Sequence, residues 1–175
     1  MSTTGNTTVP PSGHHLLVEL RNDGIYFASF DPLEDDTYQS CSVSFTAKNR
    51  PLCENVKNCV YENPQLLQEY DRTYILVDTS HFTFVPEELE KEEENRLPYY
   101  DFCFSGHDDH VIENHLVLNH AYLLFGVEHE LYTFLCRTFS NPIILHPLAS
   151  LCEYFFLHSR NGNETKAYLH LRKER

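Results

Sequence analysis

The chain has 175 residues, 41% of them hydrophobic, which is enough for one domain with a substantial core or for a domain carrying a small insertion. Its net charge of −13, from 26 acidic and 13 basic residues, leaves few cations to displace counterions from phosphates. That argues against sequence-independent nucleic-acid binding and against anionic membrane surfaces.

Residues 1–14 are polar, with Gly, Pro and Thr, and are expected to form a disordered tail. They have neither the positive start nor the apolar core of a secretion signal, and no later run approaches the ~18 apolar residues of a membrane span. The expected location is therefore the cytoplasm. Leu16–Leu20 and Ile25–Phe30 alternate in hydropathy around Asn22-Asp23-Gly24. This predicts a hairpin, with the glycine at positive φ. Tyr38–Ala47, with Cys41, Val43 and Phe45 on one face, predicts a third strand in a meander.

Arg50-Pro51 opens a predicted helix with Asn49 as its cap and Leu52, Val56, Cys59 and Val60 as its stripe. Asn63-Pro64 stops it, and Gln65–Tyr70 adds a turn or two. Tyr74–Val77, ending at Asp78, is a continuous apolar run. It reads as a central strand parallel to the first and covered on both faces.

Residues 79–125 read as an insertion. It holds a strand over His81–Val85, an acidic helix opening at Pro86, and three runs at Asp101–Phe104, Val111–Leu118 and Tyr122–Phe125, two of which are expected to pair as strands. Gly126 precedes a predicted helix whose stripe is Val127, Leu131, Phe134, Leu135 and Phe139. Pro142–Leu145 is a strand, and Pro147 opens a last helix with Leu148, Leu151, Cys152, Phe155 and Phe156 on one face. The predicted core comprises Leu16, Val18, Ile25, Phe27, Ile75, Val77, Leu131, Leu135, Ile144, Leu151 and Phe155. Six cysteines occur with no Cys-x-x-Cys, and they read as buried free thiols, Cys136 and Cys152 lying on helix stripes. Lys166–Arg172, KAYLHLR, repeats the pattern of LLVELR in the first hairpin. Residues 161–175 are accordingly expected to open a second lobe, with the chain either fraying after Asn161 or pairing this strand with another molecule.

The order βββαβ, insertion, αβα is that of a ribonuclease H-like mixed sheet with helices on both faces. Actin-like ATPases use it once in each lobe. The segments LLVELRNDGIYFASFDP, TYILVDTSHFTFVPEEL, LLFGV before a helix, and IILHPLASLCEYFF resemble a bacterial family of uncharacterised proteins with an actin-like ATPase fold. The resemblance covers about residues 15–172. It implies a lobe over 15–160, equivalent to the N-terminal lobe of that fold, with the insertion at about 79–125.

Catalytic members of this superfamily carry Asp-x-Gly-[Thr/Ser] between strands one and two, where the glycine lets backbone approach phosphate. Aligned on the hairpin, Glu19 stands for the aspartate and Arg21 for the glycine. The vestigial phosphate-loop positions are then Glu19, Arg21, Asn22, Asp23 and Asp78. A magnesium-dependent nuclease would instead use Glu19 and Asp78, with Asp23 nearby in the turn, to hold its ions. His107, Asp108, Asp109, His110, Glu113, His115 and His120 crowd a short stretch, and Glu113 and His115 would share a strand face. There is no His-Glu-x-x-His, P-loop or Gly-x-Ser-x-Gly, so these read as loop and strand-edge residues. The sequence thus assigns no catalytic residue, no metal ligand and no cofactor. It points to a non-catalytic binding or assembly module, with a protein or a second copy of the chain as partner through the C-terminal strand. A degenerate nucleotide-binding lobe is the alternative.

Overall fold

The computed structural model describes residues 13–47, 49–89 and 96–159. The first two strands, β1 (His15–Arg21) and β2 (Gly24–Phe30), pair antiparallel from His15 with Phe30 to Arg21 with Gly24. The turn is therefore Asn22-Asp23 alone, and Gly24 is a strand residue without positive φ. Its bareness serves a different need. The third strand, β3 (Gln39–Ser44), passes so close that a Cβ on Gly24 would overlap the Val43 carbonyl and lie 3.0 Å from Ser44 Cα.

Helix α1 (Leu52–Glu62) begins one residue after Pro51, which takes the cap position expected for Asn49. The buried Asn55 replaces a side-chain cap. Its amide donates to the carbonyls of Ala47 (3.0 Å) and Arg50 (3.3 Å), tying the entering loop to the first turn. A 3-10 turn over Pro64–Leu67 leads to β4 (Arg72–Val77). β4 runs parallel to β1 on one side and to β8 (Ile143–Leu145) on the other. The sheet order is β3-β2-β1-β4-β8, as a ribonuclease H-like lobe requires.

Strand alternation divides this sheet into two unlike faces. Leu16, Val18, Leu20, Ile25, Phe27, Ile75 and Val77 are buried beneath α1 and α3 (His129–Thr138). Lys57 and Glu130 join the two helices by an ion pair. On the opposite face Leu17, Tyr26, Tyr74, Leu76 and Leu145 are only half-buried. Among the described residues β4 is therefore sealed on one face, not on both as its apolar run suggested.

The insertion forms its own antiparallel sheet, β5-β7-β6, from β5 (Phe82–Pro86), β6 (Asp109–Leu116) and β7 (Ala121–Glu128). Pro86 ends the edge strand β5, where a missing N–H costs no ladder bond, and among the described residues a 3-10 turn, Glu87–Leu89, follows it. A short helix unforeseen in the sequence, α2 (Leu97–Cys103), follows and buries Tyr100 against β7. Val127, expected on a helix, belongs to β7 yet still reaches the main core. The last helix, α4 (Pro147–Ser159), leans on β6 through Ala149, and its stripe residues Leu151, Phe155 and Phe156 are half-buried. Cys136 is exposed and Cys152 half-buried, as are the faces of the helices that carry them. No helix among the described residues is long and apolar enough to cross a membrane. Residues 1–12 of the expected tail, the later part of the acidic helix and the strand Lys166–Arg172 lie outside the described residues, while the His14 carbonyl already accepts the Asp71 N–H (3.0 Å).

One polar clasp joins the two sheets. Buried Asn114 of β6 donates its amide to the Ile144 carbonyl of β8 (3.1 Å) and accepts the N–H of His146 (2.9 Å). The His146 ring, 2% exposed, donates Nε2–H to the Thr79 carbonyl (3.0 Å) and accepts the Leu148 N–H at Nδ1 (3.2 Å). Only the neutral imidazole can do both. Burial holds its pKa below the ordinary 6.5.

Two predictions follow from this packing. Leu131→Ala should cost about 2–5 kcal/mol in chemical denaturation and Leu151→Ala nearer ~1 kcal/mol, because only Leu131 leaves a closed cavity. Equal losses would mean that α4 is as deeply packed as α3. Because folding holds His146 neutral, the unfolded chain binds more protons below about pH 6.5, and stability should fall as pH drops through that range. His146→Gln should flatten the slope, and an unchanged slope would assign it to other groups.

Candidate functional site

Parallel pairing brings the carboxyl ends of β1, β4 and β8 to one edge of the large sheet. In open α/β sheets this is the edge where ligands bind, because backbone groups there are free of the ladder. Glu19 and Arg21 lie at the end of β1, Asn22 and Asp23 form the exposed turn, and Asp78 directly follows β4. The structure thus gathers all five candidate positions at one edge, on the frame that the hairpin and the parallel strand provide.

Their chemistry there is self-contained. Glu19 and Arg21 point to the same face of β1, two residues apart. The guanidinium holds the carboxylate bidentately, Nε on Oε1 at 2.9 Å and Nη2 on Oε2 at 2.7 Å. That hydrogen bonding to Glu19 is the main reason the Arg21 pKa is raised. The Tyr26 ring lies 5.5 Å below the same guanidinium. The Asp23 carbonyl accepts the Phe45 N–H at 2.9 Å, anchoring the turn to the end of β3. A long, engaged side chain stands where a phosphate loop needs bare backbone. A magnesium pair formed with Asp78 would first require Arg21 to release Glu19.

The histidine-rich stretch resolves into separate contacts. Glu113 and His115 share an exposed face of β6, as the alternation implied, but they have different partners. Glu113 pairs with Arg96 at 3.2 Å, and His115 stacks on Tyr122 and meets Glu87 at 2.5 Å. His120, held at φ 50°, also reaches Glu87, at 3.1 Å. His110 stacks on Tyr132, and burial lowers its pKa. The structure instead gathers His81, His107 and Asp109, one potential ligand atom from each lying within 4.8 Å of the others. His81 was unremarkable in sequence. It precedes β5, while Asp109 opens β6, and only the sheet brings them together, on either side of β7.

A family model described as "Protein of unknown function (DUF3822)" matches residues 5–175. No curated protein matches the sequence. A crystal structure from Bacteroides thetaiotaomicron VPI-5482, described as a protein with actin-like ATPase fold and unknown function, superposes with a TM-score of 0.78 at 28% identity. The match covers 87% of this chain and 59% of that one, so this chain spans about three-fifths of that structure. The cytoplasmic domain of EpsL, an inner-membrane component of the type II secretion system of Vibrio cholerae, gives a TM-score of 0.44 at 17% identity, over 71% of this chain and 50% of that one.

The Glu19–Arg21 pair is open to solvent, with side chains 26% and 48% exposed. Glu19→Gln should accordingly cost at most about 1 kcal/mol in chemical denaturation. A loss of several kcal/mol would show that the pair holds the hairpin together.

Proposed function

The chain belongs to the family described as "Protein of unknown function (DUF3822)", and on that footing we propose that it is a non-catalytic binding or assembly module built on one lobe of an actin-like ATPase fold. The observation that carries this reading is the bidentate Glu19–Arg21 pair in the first hairpin. Nucleotide hydrolysis needs a carboxylate free for metal and water, and backbone close to phosphate. Here the carboxylate is neutralised by its own neighbour, and the guanidinium stem fills the approach.

The binding role is supported by the second face of the large sheet. Leu17, Tyr26, Tyr74, Leu76 and Leu145 line it half-buried, with Ile143 exposed at its border. Half-buried aromatics beside aliphatics suit a polypeptide surface better than a charged ligand. The overall charge of −13 argues the same way against nucleic acid. The six cysteines are all free, which fits a reducing compartment, and we place the chain in the cytoplasm.

Calorimetry of the chain with magnesium and ATP is the test. The expected result is no saturable heat up to ligand concentrations on the order of 1 mM. Micromolar binding would overturn the proposal in favour of a degenerate nucleotide-binding lobe. Arg21→Gly would then locate the ligand, since altered affinity means the hairpin and unaltered affinity means another place.

A further inference from the structure

We propose that His81, His107 and Asp109 form a binding site for a divalent transition metal of the zinc class, at the end of the three-stranded sheet. The geometry starts from β7. Its neighbours β5 and β6 flank it; His81 sits beside Gly126 on one side, and on the other Asp109 lies two residues along β6 from Val111, the partner of Gly126. The Gly126 N–H donates to the His81 carbonyl at 2.9 Å, which fixes one ligand's backbone to the strand. Asp109 is fixed by its place in β6, opposite Glu128. Over the bare Cα of Gly126 the two side chains meet, with His81 Nδ1 3.1 Å from Asp109 Oδ2. That separation is close to one edge of a tetrahedral coordination shell, about 3.3 Å for bonds near 2.0 Å.

Gly126 is part of the construction. A Cβ there would overlap the Tyr100 hydroxyl and lie 2.6 Å from Asp109 Oδ2. A glycine in the middle of a strand buried on both sides costs stability, and it is accounted for when backbone must make room. The room is filled by the Tyr100–Asp109 pair. Tyr100, itself 2% exposed, donates its hydroxyl to Asp109 Oδ2 at 2.9 Å. This is the outer hydrogen bond that orients a ligating carboxylate. The third ligand comes from the turn after α2, where Gly106 at φ +88° swings His107 back over His81 until their ring centroids are 4.2 Å apart.

The donor set decides the metal class. Two imidazoles and one carboxylate suit Zn²⁺, Co²⁺, Ni²⁺ or Fe²⁺, whereas Mg²⁺ and Ca²⁺ prefer oxygen alone. His107 is exposed, so the shell is open to solvent on that side and a water completes it. The ion would clip together the start of β5, the start of β6 and the turn between α2 and β6.

The test is a titration of the untagged chain with Co²⁺, followed in its visible ligand-field bands, and with Zn²⁺ by calorimetry and by competition against the bound cobalt. One metal per chain at micromolar or tighter affinity is expected, with a rise in melting temperature when zinc is added. His107→Ala, at an exposed position, should leave the far-UV spectrum unchanged and abolish both the cobalt bands and the zinc-dependent rise. Tyr100→Phe should keep binding but weaken it ~10-fold. His115→Ala, removing an exposed histidine outside the cluster, should change nothing. Failure of the wild-type chain to bind either metal would overturn the proposal and reduce the cluster to a hydrogen-bonded His–Asp–Tyr triad. Equal binding by His107→Ala, or equal loss in His115→Ala, would overturn it as adventitious histidine binding. None of these outcomes bears on the ATP experiment, which reads the opposite sheet.

Discussion

The architecture hangs on one strand buried on both faces. β7 is covered along nearly its whole length, and its alternation serves two cores at once. Phe125 and Val127 complete the main core beneath α1 and α3, and Leu123 packs with Leu116 and Ala149. Tyr122 and Leu124 face the other way, into the small core of Val85 and Tyr100. An insertion with a core only of its own could swing about its connections. Sharing β7 removes that freedom, because separating the two sheets would expose Phe125, wholly buried, and Val127 together. The Asn114–His146 clasp adds direction to this non-directional attraction. It fixes the angle at which the sheets meet and leaves the polar groups at the junction satisfied.

The main sheet was legible in the sequence because its constraints are local. Alternation around an Asn-Asp-Gly turn, a short apolar run and a proline-opened helix each point to one element, and the usual right-handed connections leave few ways to assemble them. Gly24 shows where such reading stops. Its presence was explained by turn dihedrals, yet the cause is the passage of β3 across it, a neighbour twenty residues away. Pro86 and Val127 fail for a related reason. A proline can open a helix or end an edge strand, and an apolar residue at helical spacing can equally belong to the preceding strand. The sheet partner decides in each case, and that partner is distant in sequence.

The candidate sites divide along the same line. Glu19, Arg21, Asn22 and Asp23 were proposed because the resemblance aligned a hairpin, and Asp78 because it ends the central strand; a hairpin and a parallel strand both keep their register. What the alignment could not convey is that two of these residues satisfy each other. At its first hairpin the actin-like frame here presents an engaged ion pair rather than a free carboxylate and bare backbone, a difference carried by side chains placed upon a shared fold. Among the histidines, the crowding in sequence was the wrong signal. Neighbours on β6 diverge to Glu87, Arg96 and the aromatic faces, while His81 joins from 26 residues before His107 because β5 and β6 embrace the same strand.

Gly126 links these threads. In β7 the small core calls for bulk at every second position, and Tyr122 and Leu124 supply it. At the third such position the bulk is missing, and the space holds the Tyr100 hydroxyl and the Asp109 carboxylate instead. Apolar filling would have been the more stable choice, since a buried hydroxyl and a half-buried carboxylate must be desolvated before they can bond each other. An ion explains the exchange: a carboxylate held rigid by Tyr100 and set 3.1 Å from an imidazole nitrogen is costly as packing and useful as a ligand. The polar chemistry that the first hairpin neutralises within itself is thus kept open at the end of the inserted sheet.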